Sequence, residues 1–210
     1  MTIRHHISNQ LLMGYSAGQL PEAFNLVVAV HLTMCDDCKA RLGAFDAVGG
    51  VLMDGCDEVA LSSDCLAATM AKLAQPTASP PRTKGSLPAP LMYYIGGDLA
   101  AVKWRSIGMG VRQAILPTDT TATARLLYIP AGRPVPDHGH NGTELTLVLQ
   151  GAFRDETDRF GPGDLEIAGE ELNHQPIAEA GVDCICLAAT DAPLRFNGVL
   201  ARIAQPFFRI

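Results

Sequence analysis

Residues 75–90 read QPTASPPRTKGSLPAP, five prolines in sixteen positions. Proline lacks an amide donor and disfavours helix in the residue before it, so this stretch is expected to lie outside any helix or central strand and to serve as a linker. The fold must then be assembled from what lies on either side, and the two sides carry different periodicities.

Before the linker the pattern is helical. Ser8 is placed to cap a helix carrying Leu11, Leu12 and Tyr15, with Gly18 as a left-handed stop. Pro21-Glu22 makes a first turn for a second helix through Phe24, Val27, Val28 and His31. Cys38, Leu42, Phe45, Gly49 and Leu52 recur at spacings of three and four, one face of a third helix, and Ser62-Ser63-Asp64 offers caps for a short fourth ending near Ala74. After the linker come short β-type runs at 111–116, 124–129, 145–149, 181–187 and 199–203, divided by Pro-Ala-Gly, Asn-Gly and Gly-Pro-Gly turns. Strands at that density point to a sandwich or barrel. There is no internal repeat.

Composition narrows the function classes. Apolar residues fill 48% of the 210 positions, enough for a real core. Sixteen basic residues against twenty-two acidic ones leave a charge of −6, the wrong sign for a surface that holds phosphates. The first 74 residues offer four basic side chains against eight acidic ones, which disfavours direct DNA binding. No apolar run before the linker approaches the roughly 20 residues of a membrane span, and the start lacks the apolar core of a signal peptide. The expectation is a soluble, cytoplasmic protein that does not engage the membrane, in which cysteines serve metal or redox chemistry more often than disulfides.

Two donor constellations stand out. In His31-x₃-Cys35-x₂-Cys38, a continuous helix at about 100° per residue would place all three donors in one narrow sector. Imidazole and thiolate together suit tetrahedral Zn²⁺. His6, carried in from the start of the first helix, is the leading candidate for the fourth place, with His5, Cys56 and Cys65 as rivals. Without a metal, the same residues would read as a redox pair beside a core histidine.

The second constellation is Gly132-x₅-His138-x-His140-x₃-Glu144-x₆-Gly151. In an extended segment His138 and His140 project to one side, and the Asn141-Gly142 turn can bring Glu144 to the same point. Residues 144–149 then alternate as a strand with a wetter and a greasier face. His174, ten residues after the Gly161-Pro162-Gly163-Asp164 turn, is the candidate fourth ligand; the plainer reading is a surface loop histidine. Three imidazoles and a carboxylate suit Zn, Fe(II), Mn or Ni. Cys184 and Cys186 share one face of a strand, either as small core residues or as an oxidant-sensitive thiol pair near the pocket. Trp104 and Phe207-Phe208 read as packing residues.

A leading histidine, Tyr15-Ser-Ala-Gly18 and His31-x₃-Cys35-x₂-Cys38 resemble the zinc-binding anti-sigma domain over about residues 4–55. The spacing of His138, His140 and Glu144 is similar to the first cupin motif, and Gly161-Pro162-Gly163-Asp164 resembles the turn of the second, in which His174 comes later than usual. In this order across a proline-rich linker, nearly the whole chain resembles the ChrR family of anti-sigma factors. The resemblance implies an α+β protein in two domains: an N-terminal all-α zinc-stapled helical bundle (1–76), the linker (77–90) and a C-terminal all-β cupin, or jelly-roll, barrel (91–210). It implies a transcription regulator without catalytic residues. The partner would be an alternative sigma factor of the extracytoplasmic-function type, bound one-to-one, withheld from RNA polymerase and released by an oxidant such as singlet oxygen. The cupin domain would be needed for the response rather than for the grip, and zinc is the implied metal in both places. The chief alternative is a cupin metalloenzyme, a dioxygenase or isomerase, with a zinc-stapled helical appendage.

Overall fold

The computed structural model of the protein describes residues 2–74, 85–196 and 198. Helices come first: α1 (Asn9–Ser16), α2 (Glu22–Leu32), α3 (Asp36–Asp54), α4 (Cys65–Leu73) and α5 (Ala89–Ile95). After a 3-10 turn at Leu99–Ala101 the chain turns to short strands: β1 (Arg105–Gly108), β2 (Val111–Ile115), β3 (Thr123–Ile129), β4 (His138–His140), β5 (Glu144–Gln150), β6 (Phe153–Arg154), β7 (Arg159–Phe160), β8 (Leu165–Ala168), β9 (Asn173–His174), β10 (Ile177–Ala178), β11 (Cys184–Thr190) and β12 (Leu194–Phe196). The expected run at 199–203 and the Phe207-Phe208 pair lie outside the described residues.

Local chemistry sets the helix ends. The Ser8 hydroxyl accepts from the amide of Leu11, and Gly18 takes the left-handed conformation that stops α1. α2 is apolar on nearly every side, burying Ala23, Phe24, Leu26, Val27, Val28, Val30 and His31. Such a helix has to be enclosed. It lies between α1, α3 and α5 on one side and strands β3, β5 and β11 on the other. Glu22 at its start fixes the enclosure, accepting from the Tyr94 hydroxyl on α5 and the Asp119 amide, each at 2.7 Å.

The strands form a jelly-roll barrel. Six pair antiparallel in the order β1-β2-β3-β11-β5-β8, and two three-stranded sheets, β10-β6-β7 and β12-β4-β9, complete it. Alternation sorts the side chains. Leu145 and Leu147 of β5, Ala124 and Leu126 of β3, and Leu187 and Ala189 of β11 belong to the core shared with α2. Glu144 and Thr146 of β5, Arg125 and Leu127 of β3, and Cys186 and Ala188 of β11 instead line the barrel interior. With both faces covered, β11 is buried at all seven positions.

The helical and β parts share one hydrophobic cluster, and a second lies within the barrel. Two sequence expectations need correction. The proline-rich stretch is not wholly outside helices, since α5 begins with Ala89-Pro90; the first helical turn has no internal partner for its amides, so proline is tolerated there. His31, Cys35 and Cys38 do not ride on one continuous helix. α2 ends at Leu32, where the Thr33 hydroxyl and amide both bond the Val30 carbonyl, and Cys35 is the N-cap of α3.

The segment before α1 ties the helices to the barrel. One carboxylate oxygen of Asp164 accepts from the Arg4 and His5 amides (2.6 and 2.9 Å), the other from Gly161 (2.8 Å), and the Leu165 amide bonds the His5 carbonyl. Ile3 packs so closely on Gly163, itself at φ +88°, that a side chain there would collide with it. Burial alone would raise the pKa of Asp164, but the amides of His5, Gly161 and Arg4 outweigh it and hold it below the usual value. The resulting stability is present above the unfolded pKa near 3.9 and is lost as pH falls through the lower folded value. Asp164→Ala should therefore cost about 2–4 kcal/mol at pH 7. Chemical denaturation of the variant at pH 7 and pH 3 checks this: the difference from the parent should shrink at the lower pH.

Candidate metal centres

The first centre forms where the N-terminal segment, the end of α2 and the start of α3 meet. His6, His31, Cys35 and Cys38 each present a donor atom within 4.8 Å of the others. His6 Nδ1 lies 3.2 Å from Cys35 Sγ and 3.6 Å from Cys38 Sγ. Zinc bonds of about 2.0 Å to nitrogen and 2.3 Å to sulfur give tetrahedron edges of about 3.5 Å, so these separations fit the ion. A second observation agrees. His31 is fully buried, yet neither ring nitrogen has a hydrogen-bond partner, an arrangement that a bound cation satisfies.

Electrostatics prepare the donors unequally. Burial, then the neighbouring His6, pushes His31 down to about 4, so its imidazole is neutral and able to donate a lone pair. Burial raises the thiol of Cys38, which makes the thiolate depend on a nearby positive charge; Arg41 supplies part of it from 3.8 Å. The rivals for the fourth place fall elsewhere. His5 turns to the barrel, against Asp158 at 3.1 Å and Asp164 at 3.5 Å; Cys56 is exposed, and Cys65 starts α4.

The second centre lies in the barrel. His138 and His140 project from β4 to the same side, and β9 pairs His174 directly opposite His138. Nitrogen atoms of the three imidazoles lie within 4.8 Å of one another. Asn141-Gly142 does not close a hairpin: it carries the chain from the β12-β4-β9 sheet to the six-stranded one. Glu144 consequently stands beside the histidine cluster rather than within it. Its Oε1 accepts from the Thr146 hydroxyl, while Oε2 lies 3.4 Å from His140 Nδ1, with both of those atoms buried and without a hydrogen bond. Such orphaned donors again suit a cation.

Hydrogen bonds orient the rings. His138 Nδ1–H donates to the Pro136 carbonyl at 2.8 Å, and His174 Nδ1–H to Asp155 at 2.7 Å, which frees the opposite nitrogens as ligands. Glu166 Oε1 lies 3.1 Å from the same His174 nitrogen. Burial raises Glu166 to about 7, and Asp155, although also buried, is held down by Thr157 and His174. Against its own burial, the two acids lift His174 to about 9. Without metal, Asp155 is thus the anion facing a charged ring and Glu166 takes up a proton more readily; a cation at the opposite nitrogen would displace that ring's second proton. Asp155 and Glu166 escaped the sequence reading; the signal for Glu166 was an acid inside the apolar run Leu165-Glu-Ile-Ala168.

Cys184 and Cys186 are buried with their sulfurs 3.5 Å apart, and Cys186 reaches the barrel cavity. Trp104 packs edge-on to Tyr128. The whole chain is 63% identical over 213 residues to the anti-sigma-E factor ChrR of Cereibacter sphaeroides, a match that covers both proteins end to end. The chain belongs to the ChrR family.

Within it, residues 94–192 match the ChrR cupin-like domain. A solved structure of Rhodobacter sphaeroides SigE in complex with the anti-sigma ChrR is 63% identical, with a TM-score of 0.82 over 90% of this chain and all of that one. An RmlC-like cupin protein from Ralstonia eutropha is similar at 22% identity and a TM-score of 0.42, over 49% of this chain and 71% of that one. For a ChrR-family chain the two donor clusters divide cleanly: a four-donor set built by the helices, and a three-imidazole set built by the barrel.

Proposed function

We propose that this chain is an anti-sigma factor. The observation that carries the reading is an apolar face with no cover. Val48, Val51 and Leu52 in the second half of α3, Val59 and Leu61 after it, and Leu66, Met70 and Leu73 on α4 are all exposed. α4 buries none of its nine residues, and a helix of that length is marginal alone in water. Large apolar side chains exposed together in this number suit a partner surface, and the relatives supply the partner's class, a sigma factor. Residues 1–76 would grip it, with zinc at His6, His31, Cys35 and Cys38 fixing the mutual angles of the helices. Residues 77–90 connect this part to the barrel of 91–210. Among the described residues no helix is long and apolar enough to cross a membrane; the complex is taken as cytoplasmic, one-to-one and without direct DNA contact.

Full-length similarity to an anti-sigma factor favours a regulator over a cupin metalloenzyme. The barrel's part in that reading is the response to an oxidant such as singlet oxygen. Zn or another divalent metal (Fe, Mn, Ni) would be held by His138, His140 and His174, with Glu144 beside them, and Cys184 and Cys186 form the nearby thiol pair. A short chain of bonded and hydrogen-bonded neighbours connects the centres. His6 adjoins His5, His5 is bound to Asp164 and Leu165, and the next residue, Glu166, touches His174. A difference of a few kcal/mol between bound and released forms suffices for a switch.

The test is a sigma-capture assay on His138→Ala and Glu144→Gln chains. Capture should stay within about threefold of the parent, under 1 kcal/mol, while release under a photosensitising dye is lost. Normal release by both variants would remove the barrel's metal from the response.

A further inference from the structure

Arg125 is a buried charge that forms no ion pair among the described residues. β3 points it into the barrel, where it is 5% exposed, and it lines a cavity of about 170 Å³. Its sole hydrogen bond among the described residues is a long one, 3.4 Å from Nη1 to the Gln113 amide oxygen, and Nε has no partner there. Among the described residues it forms no ion pair; Glu144 acts on it only at longer range. Arginine does not shed its proton, so a guanidinium buried this way is held at a loss unless something else completes it.

The rest of the cavity says what that could be. Its walls are largely apolar, with Ile107, Val111, Leu127, Ile129 and Phe196 among them. Its size is close to the roughly 150 Å³ of a cavity that admits benzene, so it accepts one ring or a chain of about six carbons. Among the described residues the two acids that also face it form no ion pair with Arg125: Glu144 Oε1 accepts from Thr146 with Oε2 3.4 Å from His140, and Glu166 Oε1 lies 3.1 Å from His174. We propose that this cavity binds a small apolar monocarboxylate, its carboxylate paired in two-pronged fashion with Arg125 and its hydrocarbon part against the apolar wall. The same cavity reaches His138 and His174 of the second centre, so the carboxylate site adjoins the histidine cluster, and the proposal does not depend on sigma-factor binding.

Calorimetry on the full-length, metal-loaded chain tests it, with hexanoate and benzoate as probes and 1-hexanol and benzyl alcohol as their uncharged counterparts. The acids should bind at least about tenfold more tightly than the alcohols. Arg125→Met should weaken them by about tenfold or more at unchanged metal content, and Arg125→Lys by less. Without ligand, Arg125→Met should melt about 2–5 °C higher than the parent, because it removes an unpaired buried charge at similar volume. Failure of either acid to bind, equal binding of the alcohols, or undiminished binding to Arg125→Met (acids held by the metal alone) overturns the proposal. So does a lower melting temperature for ligand-free Arg125→Met, which would make the arginine structural.

Discussion

Replacing Cys38 by serine should leave the first donor set unable to hold a metal and cost the chain about a thousandfold in sigma-factor affinity, near 4 kcal/mol. Cys38 is fully buried, with its sulfur among His6, Cys35 and Arg41. A serine hydroxyl is a poor substitute for a thiolate, and structural zinc contributes roughly 10–16 kcal/mol to the folding of small domains. Without the ion, His31 is left buried with two unpartnered ring nitrogens, and nothing fixes the N-terminal segment against α3. The damage should be local. α2 is anchored to the six-stranded sheet through the shared core, so the barrel should keep its fold and its own metal. Metal analysis should give about one ion per chain instead of two, with part of the far-ultraviolet helical signal lost and sigma capture abolished. A chelator applied to the parent should act likewise. A Cys38→Ser chain that has lost an ion and still captures its sigma factor would place the grip outside the first centre.

Helix starts and donor sets were legible because they are written locally. Ser8 bonds an amide within a turn of itself, Gly18 and Pro21 act through their own backbone conformation, and the spacing of His138 and His140 needs only one extended segment. What the sequence hides is whatever depends on pairing at a distance. Asp155 meets His174 across 19 positions, and nothing near either residue announces the other. The break between α2 and α3 is equally quiet, for it turns on one threonine bonding backward to Val30. An apolar strand face looks the same whichever layer covers it, so nothing in the sequence of β3, β5 and β11 announces that α2 covers their outward rows. Arg125 was hidden too: in an alternating strand it reads as an ordinary outward polar residue, and only the closure of the barrel shows that it points in.

The apolar face gives the second large effect. Leu66, Met70 and Leu73 fall at i, i+4 and i+7 on α4, one stripe of a helix, and all three are exposed. Leu66→Glu combined with Leu73→Glu should leave the free protein's unfolding free energy within about 0.5 kcal/mol, as for exposed sites in general. On a sigma factor the same stripe would be buried. Each leucine then forfeits about 1.5–3 kcal/mol of apolar burial, and each glutamate has to be desolvated without a partner. Together these should reduce affinity by at least about 10²–10⁴-fold, while metal content and melting temperature stay at parental values. That contrast separates this variant from Cys38→Ser, which loses metal and grip together. If the double variant captures its sigma factor as tightly as the parent, the uncovered stripe on α4 is not the docking face, and the second half of α3, with Val48, Val51 and Leu52, becomes the surface to test.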